Sequence, residues 1–216
     1  MIKVLAFDFD GVLLESVAVK DQAFYDLFED ATVQEREKVL ALHKRTPGIH
    51  RRDKISLLLT EVLIRQATPA IVNNALERFA KLVWDGLMNC PEVAGVRKFL
   101  DEISRRLPCY VVSAAPQDEL RAVTEKRDFS KYFVDVWGSP PTKAELLQHI
   151  IMQEGVVPEE VTLIGDKSSD LKAAQTAGTG FIGRVLPGSD TVFPEEVVVV
   201  NSFEENTATH LINKRQ

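Results

Sequence analysis

The chain has 216 residues, of which 45% are hydrophobic and 27% charged, a composition typical of a globular protein that buries a full core. Its net charge of −6 argues against nucleic acid or an anionic membrane as the main partner. Its two cysteines, Cys90 and Cys109, lack the spacing of a disulfide framework or a zinc site. Neither a membrane-length apolar run nor a signal peptide is recognisable, so the expected location is the cytoplasm.

The first predicted strand covers residues 2–9 and ends in two closely spaced carboxylates, Asp8 and Asp10, followed by Gly11. The strand is apolar on both faces, as expected of a central parallel strand. Two carboxylates in one small space repel each other unless something offsets their charge, most simply a hard divalent cation such as Mg²⁺. Because such a strand brings its carboxyl end to the ligand crevice, Asp8 and Asp10 are predicted to form the catalytic centre of a metal-dependent enzyme.

The segment from residue 16 to residue 90 is predicted to be entirely helical. Its predicted helices cover about 16–28, about 32–44, a stretch that includes 55–63, and a stretch that begins at Thr68-Pro69. Thr32 with Glu35 forms a capping-box pattern for the second of them, and apolar residues at helical spacing mark the third. Four helices inserted directly after the first strand predict a small helical domain.

From residue 91 onward, helices and strands alternate. The predicted strands are 109–113, 133–137, 161–165, 179–182 and 197–200, separated by helices that include 96–103, 116–126, 143–154 and 170–177. This alternation predicts an α/β fold with a doubly wound, Rossmann-like, mostly parallel sheet and right-handed crossovers. The first strand is therefore separated in sequence from its sheet partners by the helical insert.

Four predicted strand ends meet at one crevice, and each carries residues suited to phosphoryl transfer. These residues are Asp8 and Asp10, Ser113 and Ala114, Lys143, and Asp166 with Asp170. The hydroxyl of Ser113 is predicted to lie beside free N–H groups at a helix N-terminus, which is a natural anion site. Phosphoryl transfer needs a nucleophile, a metal, donors for the phosphoryl oxygens and a proton donor for the leaving group. The set therefore predicts an enzyme of this chemistry.

These residues resemble the four motifs of the haloacid dehalogenase superfamily, in the family's chain order. The motifs are Asp8-Phe9-Asp10-Gly11-Val12, Ser113, Lys143 and Gly165-Asp166-x-x-x-Asp170. The insert resembles the cap of the helical-cap subclass, which includes phosphoglycolate phosphatase-like and β-phosphoglucomutase-like enzymes. The resemblance implies a phosphoric monoester hydrolase with a catalytic core of residues 1–15 and 91–216 and a cap of residues 16–90.

The resemblance also implies a role for each motif residue. Asp8 would attack phosphorus to form an aspartyl-phosphate, and Asp10 would protonate the leaving oxygen and then activate water. The phosphoryl oxygens would be held by Ser113, Ala114 and Lys143. The Mg²⁺ would be held by the carboxylates of Asp8 and Asp166 and the backbone carbonyl of Asp10. Asp170 would lie near the metal, either as a further ligand or as a residue that contacts the ligands.

Within the insert, residues 48–53 resemble the cap loop of the same enzymes. In the mutases an arginine at the position of Arg51 meets a distal phosphate or sugar, so Arg51, Arg52 and Lys20 are candidate substrate-binding residues. The mutases carry a histidine where this chain has Lys20, which disfavours a mutase. Lys143 is followed by Ala144, where proline is the commoner residue.

The favoured interpretation is a Mg²⁺-dependent phosphatase of a small phosphomonoester, with a sugar phosphate as one candidate. A β-phosphoglucomutase-like mutase is the alternative, and a non-catalytic phosphate-sensing or interaction protein on the same fold is another. Asp10 disfavours dehalogenase and phosphonatase chemistry, which need no acid at that position. A calcium loop of the EF-hand type is disfavoured because its glycine comes at the sixth position and it follows a helix. The predicted partner is a small phosphorylated metabolite, and neither its identity nor the oligomeric state is predicted.

Overall fold

The computed structural model describes residues 1–46 and 48–204, so Pro47 and the last part of the predicted core, 205–216, lie outside the described residues. The chain divides into two compact units: Met1–Glu15 together with the chain from Pro91 onward, and Ser16–Cys90. Within the described ranges, no helix combines the length and the apolar character needed to cross a membrane.

In the part of the chain that the structure describes, the first unit is built on a six-stranded sheet. Its strands are β1 (Val4–Phe7), β2 (Cys109–Pro116), β3 (Asp135–Ser139), β4 (Val161–Gly165), β5 (Gly180–Arg184) and β6 (Val199–Val200). All neighbouring pairs are parallel, in the order β3-β2-β1-β4-β5-β6. Phe7 at the end of β1 pairs with Val111 and Ile164, so the carboxyl ends of β1, β2 and β4 are adjacent. The predicted α/β, doubly wound fold class is confirmed.

The α-helices among the described residues are α1 (Val17–Asp26), α2 (Val33–Arg45), α3 (Arg51–Leu57), α4 (Pro69–Asn89), α5 (Val96–Ile103), α6 (Gln117–Lys126), α7 (Lys143–Glu154) and α8 (Ser168–Ala177). In the first unit, α7 and α8 bury Leu147 and Ala174 against Ala6 and Val112 of the sheet. On β1, Phe7 contacts Phe99 of α5 edge to face, with ring centroids 6.2 Å apart. Burying a side chain of this size contributes ~1.5–3 kcal/mol to the free energy of unfolding, and this burial stabilises the position of β1 in the sheet.

The second unit, Ser16–Cys90, contains α1 to α4 around a core that includes Phe24, Val39, Ile55 and Phe79. The side chain of Thr32 accepts from the backbone of Glu35, so the predicted capping box is present. The third predicted helix is not uniform: α3 ends at Leu57 and continues as a π-helical turn over Leu58–Val62. In that turn the Leu63 N–H donates to the Leu58 carbonyl, and both side chains stay buried while the helix ends.

The chain leaves the first unit and returns to it at neighbouring positions. Glu15 N–H donates to the Pro91 carbonyl at 2.9 Å, and Val93 N–H donates to the Leu13 carbonyl at 3.0 Å. These bonds hold the two crossing segments side by side. The insertion of residues 16–90 therefore leaves the turn after β1 joined to the rest of its own unit.

Candidate active site

Asp8 lies directly after β1, where the sheet pairing carries on for one residue. Its N–H donates to the Ile164 carbonyl of β4 at 2.8 Å, which fixes its backbone at the edge between β1 and β4. Its Oδ1 accepts from the Phe9 N–H at 2.7 Å. Asp8 is 3% exposed and Asp10 is 6% exposed. Carboxylates this buried require compensating charges and donors nearby.

The turn after Asp10 is held by a buried arginine that sequence reasoning missed. Gly11 adopts φ 74°, a conformation that favours glycine, and its N–H donates to the Leu14 carbonyl at 2.8 Å. Nη1 of Arg184, at the end of β5, donates to the Gly11 carbonyl at 3.2 Å and to Glu15 at 2.9 Å. Its Nη2 also contacts Glu15. Arg184 therefore connects the turn after Asp10 to the end of β5.

Lys143 is the first residue of α7 and reaches two buried carboxylates. A capping box of Thr142 and Glu145 sets the start of this helix, shortly after the end of β3. Nζ of Lys143 lies 2.8 Å from Oδ1 of Asp8 and 2.6 Å from Oδ1 of Asp170. Burial alone would lower the pKa of Lys143, but the two carboxylates outweigh it and raise the pKa. Lys143 therefore stays an ammonium and offsets part of the negative charge around Asp8.

Asp170 is fully buried, and both of its oxygens have partners. Oδ2 accepts from the N–H groups of Asp166 at 3.2 Å and Lys167 at 3.1 Å, while Oδ1 binds Lys143. Gly165 approaches so closely that a Cβ at its position would lie 2.4 Å from Cβ of Asp170. Asp170 therefore shapes the loop between β4 and α8 and connects it to α7.

Asp8, Asp166 and Asp170 form a carboxylate cluster whose candidate ligand atoms all lie within 4.8 Å of one another. Burial raises the pKa of Asp166 to about 8, and burial is also the main cause that raises the pKa of Asp8. Oδ1 of Asp166 is buried and has no hydrogen-bond partner among the described residues. An unsatisfied buried carboxylate oxygen beside two further carboxylates fits a hard divalent cation. Asp10 is not in this cluster; its predicted metal contact is through the backbone carbonyl.

Ser113 and Ala114 lie within β2, next to β1, and not at a helix start. The predicted helix start at residue 116 is wrong, because β2 continues to Pro116 and α6 begins at Gln117. Pairing with β3 extends the strand across an irregularity, with Val112 opposite Trp137 and Pro116 opposite Ser139. Inside the irregular stretch, Ser113 is buried and its hydroxyl accepts from the Ala115 N–H at 3.2 Å. Any anion site at Ser113 and Ala114 therefore depends on this bulged strand.

The three candidate substrate residues of the insert belong to the second unit. Lys20 lies on α1, and Arg51 and Arg52 are the first two residues of α3. The guanidinium of Arg51 lies 4.5 Å from the ring centroid of Phe79, and Arg52 donates to Asn73 at 2.8 Å. Their substrate role stays a prediction.

Lys167 is a second lysine of the site, and the predicted site residues do not include it. Its Nζ lies 4.0 Å from Oδ2 of Asp166. Its position between the two acidic residues of the fourth motif was the available signal, because an ammonium there must lie near their carboxylates. Burial alone would lower the pKa of Lys167, but Asp166, Asp8 and Asp10 outweigh it and raise the pKa.

Known proteins share both the sequence pattern and the fold. A phosphorylated carbohydrates phosphatase of Thermotoga maritima is 28% identical over 185 residues, covering 82% of each chain. A phosphoglycolate phosphatase of Escherichia coli K12 is 24% identical and covers 84% of this chain and 81% of its own. A variant of CbbY from Rhodobacter sphaeroides, solved with xylulose-(1,5)bisphosphate, has a TM-score of 0.74 at 19% identity, with 95% and 96% covered, which is a likeness of fold alone.

The match to the family itself covers most of the chain. The family model described as haloacid dehalogenase-like hydrolase matches residues 5–184, a range that contains all four motifs and the helical insert. The predicted resemblance and the prediction of a hydrolytic enzyme are thereby confirmed. The chain belongs to the haloacid dehalogenase-like hydrolases.

Proposed function

We propose that this chain is a Mg²⁺-dependent phosphatase that hydrolyses a small phosphorylated metabolite through an aspartyl-phosphate on Asp8. The observation that carries the proposal is the contact between the Lys143 ammonium and Oδ1 of Asp8, at 2.8 Å, within a buried carboxylate cluster. Such a contact favours an ionised nucleophile and places a cation where phosphoryl oxygens arrive. The names of the relatives, phosphatases of phosphorylated carbohydrates and of phosphoglycolate, support a substrate of this kind.

In the first step, the phosphoryl group passes from the substrate to Asp8. The Phe9 N–H and Lys143 both bind Oδ1 of Asp8, which fixes the orientation of the whole carboxylate. An oxygen of Asp8 bonds to phosphorus while the bond from phosphorus to the leaving oxygen breaks. Asp10 gives its proton to the leaving oxygen, which departs as an alcohol.

In the second step, water releases the phosphoryl group from Asp8. Asp10, now a carboxylate, accepts a proton from the water as its oxygen bonds to phosphorus and the aspartyl bond breaks. Inorganic phosphate leaves, Asp8 is again a carboxylate and Asp10 again carries its proton. Lys143, Ser113 and the backbone of Ala114 hold the phosphoryl oxygens in both steps.

Asp8 and Asp166, together with the backbone carbonyl of Asp10, would hold the Mg²⁺, which when bound offsets the negative charge of the phosphoryl oxygens. We assign Asp170 a positioning role, because Lys143 and two backbone N–H groups engage both of its oxygens. It orients the Asp166 ligand and the Lys143 ammonium.

We further propose that residues 16–90 act as the cap domain of the catalytic core formed by the other unit. In this role Arg51, Arg52 and Lys20 would contact the part of the substrate beyond the phosphate. A cap of this kind excludes water until the substrate is bound. The cytoplasm stays the predicted location of the reaction.

The test is release of inorganic phosphate from p-nitrophenyl phosphate and from a panel of sugar phosphates and phosphoglycolate. We expect turnover that depends on added Mg²⁺, stops with EDTA and is lost in Asp8→Asn. The matched control is Asp101→Asn, the same change at an exposed position of α5, which keeps the wild-type rate. No metal-dependent release from any ester would overturn the proposal. Isomerisation of a hexose phosphate without phosphate release would favour a mutase.

A further inference from the structure

The backbone of Lys167 is held from both sides, which fixes the direction in which its side chain leaves the loop. Its N–H donates to Oδ2 of Asp170 at 3.1 Å, and its carbonyl accepts from the N–H groups of Asp170 at 3.0 Å and Leu171 at 3.3 Å. The side chain starts between β4 and α8, and its Nζ lies 4.0 Å from Oδ2 of Asp166. Lys167 is therefore a fixed part of the site.

The two lysines of the site differ in how far their ammonium groups are already engaged. Lys143 is 11% exposed and lies within 2.8 Å of two carboxylates. Lys167 is 38% exposed, and its ammonium stands beyond hydrogen-bond distance from Asp166. A ligand can therefore approach Lys167 without first displacing a carboxylate from it.

Lys167 lies beside the carboxylate cluster that contains the nucleophile, on the side of Asp166. Lys143 contacts Asp8 and Asp170, whereas Nζ of Lys167 lies 4.0 Å from Oδ2 of Asp166, a member of the cluster whose candidate ligand atoms all lie within 4.8 Å of one another. The scissile phosphate must reach Asp8 in the proposed mechanism, so it comes to this cluster. The ammonium of Lys167 is thus close to substrate atoms that lie next to the scissile bond.

The charge balance of the site leaves a need for this ammonium when the substrate carries a second negative group. When Asp10 carries its proton, the described carboxylates of Asp8, Asp166 and Asp170 stand against the Lys143 ammonium, and a divalent cation would complete the balance. A phosphate dianion then adds negative charge, and a second anionic group next to it would meet net repulsion without a cation of its own. Lys167 supplies that cation at the edge of the site that remains accessible.

We propose that Lys167 is a specificity-determining residue that binds a second anionic group of the substrate, a carboxylate or a second phosphate, close to the scissile phosphate ester. This inference rests on the proposed phosphatase function and names a substrate class for it. A charge-assisted hydrogen bond of this kind changes affinity by about 10- to 100-fold. The neutral parts of a substrate do not depend on it.

The experiment compares matched substrates with Lys167→Met and Lys167→Arg. Phosphoglycolate is paired with 2-hydroxyethyl phosphate, which has a hydroxymethyl group in place of the carboxylate, and glucose 1,6-bisphosphate is paired with glucose 1-phosphate. In Lys167→Met we expect kcat/KM to fall about 10- to 100-fold more for the anionic member of a pair than for its neutral partner. Lys167→Arg should restore most of the difference. The pair that responds identifies which anionic group is bound.

A second readout is binding without turnover. Calorimetric titration of phosphoglycolate and 2-hydroxyethyl phosphate into Asp8→Asn, with and without Lys167→Met, should show the same selective loss of affinity. Lys172→Met, at an exposed position of α8, carries the same charge change and should have no such effect. The neutral Lys167→Gln provides a second variant if Lys167→Met folds poorly.

Equal losses for both members of every pair would overturn the inference, because Lys167 would then act on the shared phosphate or on the metal. An unchanged preference would overturn it as well. Failure of the proposed function gives a different result: the wild-type protein then hydrolyses none of the esters, whichever residue stands at position 167.

Discussion

Oδ1 of Asp170 accepts a hydrogen bond from Nζ of Lys143 at 2.6 Å, and Oδ2 accepts from two backbone N–H groups of the loop that carries Asp166. An asparagine at this position offers only one acceptor oxygen for donors on both sides. Asp170→Asn is therefore expected to leave a buried ammonium or a pair of buried N–H groups facing the amide NH₂. We expect a loss of about 3 kcal/mol in the free energy of unfolding and about 10- to 100-fold in kcat/KM.

Urea denaturation and steady-state kinetics measure these two effects. Asp101→Asn on the exposed face of α5 is the control, and its free energy of unfolding should stay within about 0.5 kcal/mol of wild type. A similarly small effect for Asp170→Asn would contradict the assigned role.

Much of the site can be predicted from the sequence, because a parallel sheet determines where the site residues lie. Apolar residues before Asp8 predict a buried strand, and parallel strands bring their carboxyl ends to one edge, where Lys143 contacts Asp8. Local capping chemistry is equally direct: the Thr32 and Glu35 pattern predicts the capping box that begins α2. These features depend on a few neighbouring residues and on one rule of topology.

The rest depends on tertiary pairing that one sequence does not reveal. Ala114, Ala115 and Pro116 suit a helix start, yet pairing with β3 keeps them in a strand. Arg184 and Glu15 are 169 positions apart, and each alone resembles an ordinary surface charge. Such a contact appears only once the order of the strands is known, because β4 lies between β1 and β5 in the sheet.

The ion pair of Arg184 and Glu15 joins a buried cation to a partly exposed anion. The side chain of Arg184 is 3% exposed and that of Glu15 is 26% exposed, so Glu15→Ala leaves a buried guanidinium with too little compensation and should cost about 2 kcal/mol in the free energy of unfolding. Adding Arg184→Met removes the uncompensated charge and should recover a large part of that loss. Urea denaturation of the two single variants and the double variant gives the coupling energy.

An exposed pair of the same chemistry is the control for this cycle. Arg78 and Glu29 are 2.9 Å apart with side chains 42% and 74% exposed, so Glu29→Ala should cost less than about 1 kcal/mol. If the loss of unfolding free energy in the double variant equals the sum of the losses in Glu15→Ala and Arg184→Met, the two side chains do not act as a pair.

The Cys109 thiol gives a prediction for alkaline pH. Burial raises its pKa to about 12, from 9.0 for a free thiol, so the folded protein keeps it protonated. The stabilisation is complete below pH 9, where the unfolded thiol is also neutral, and is lost progressively between pH 9 and pH 12 as the unfolded state ionises. Replacing Cys109 with alanine should reduce the slope of unfolding free energy against pH in this window.

Thiol reactivity measures the same property directly. At pH 8 in the native protein, iodoacetamide should modify Cys109 far more slowly than in urea, as followed by mass spectrometry of the peptide that contains it. Rapid native labelling at Cys109 would contradict the burial of this thiol at the start of β2.

Gly165→Ala should disturb the site through Asp170, because the new Cβ would lie 2.7 Å from Oδ2 of that residue. The new Cβ would lie 2.4 Å from Cβ of Asp170, so the loop between β4 and α8 must shift, at a cost of about 1–3 kcal/mol in unfolding free energy. Because Asp170 positions Asp166 and Lys143, kcat/KM should fall together with the apparent affinity for Mg²⁺. The control is Gly155→Ala at the end of α7, where φ is 63° and a Cβ would meet nothing within 4 Å. That variant should lose about 1 kcal/mol through backbone strain alone and keep its activity, so equal catalytic losses in both variants would contradict the proposed path through Asp170.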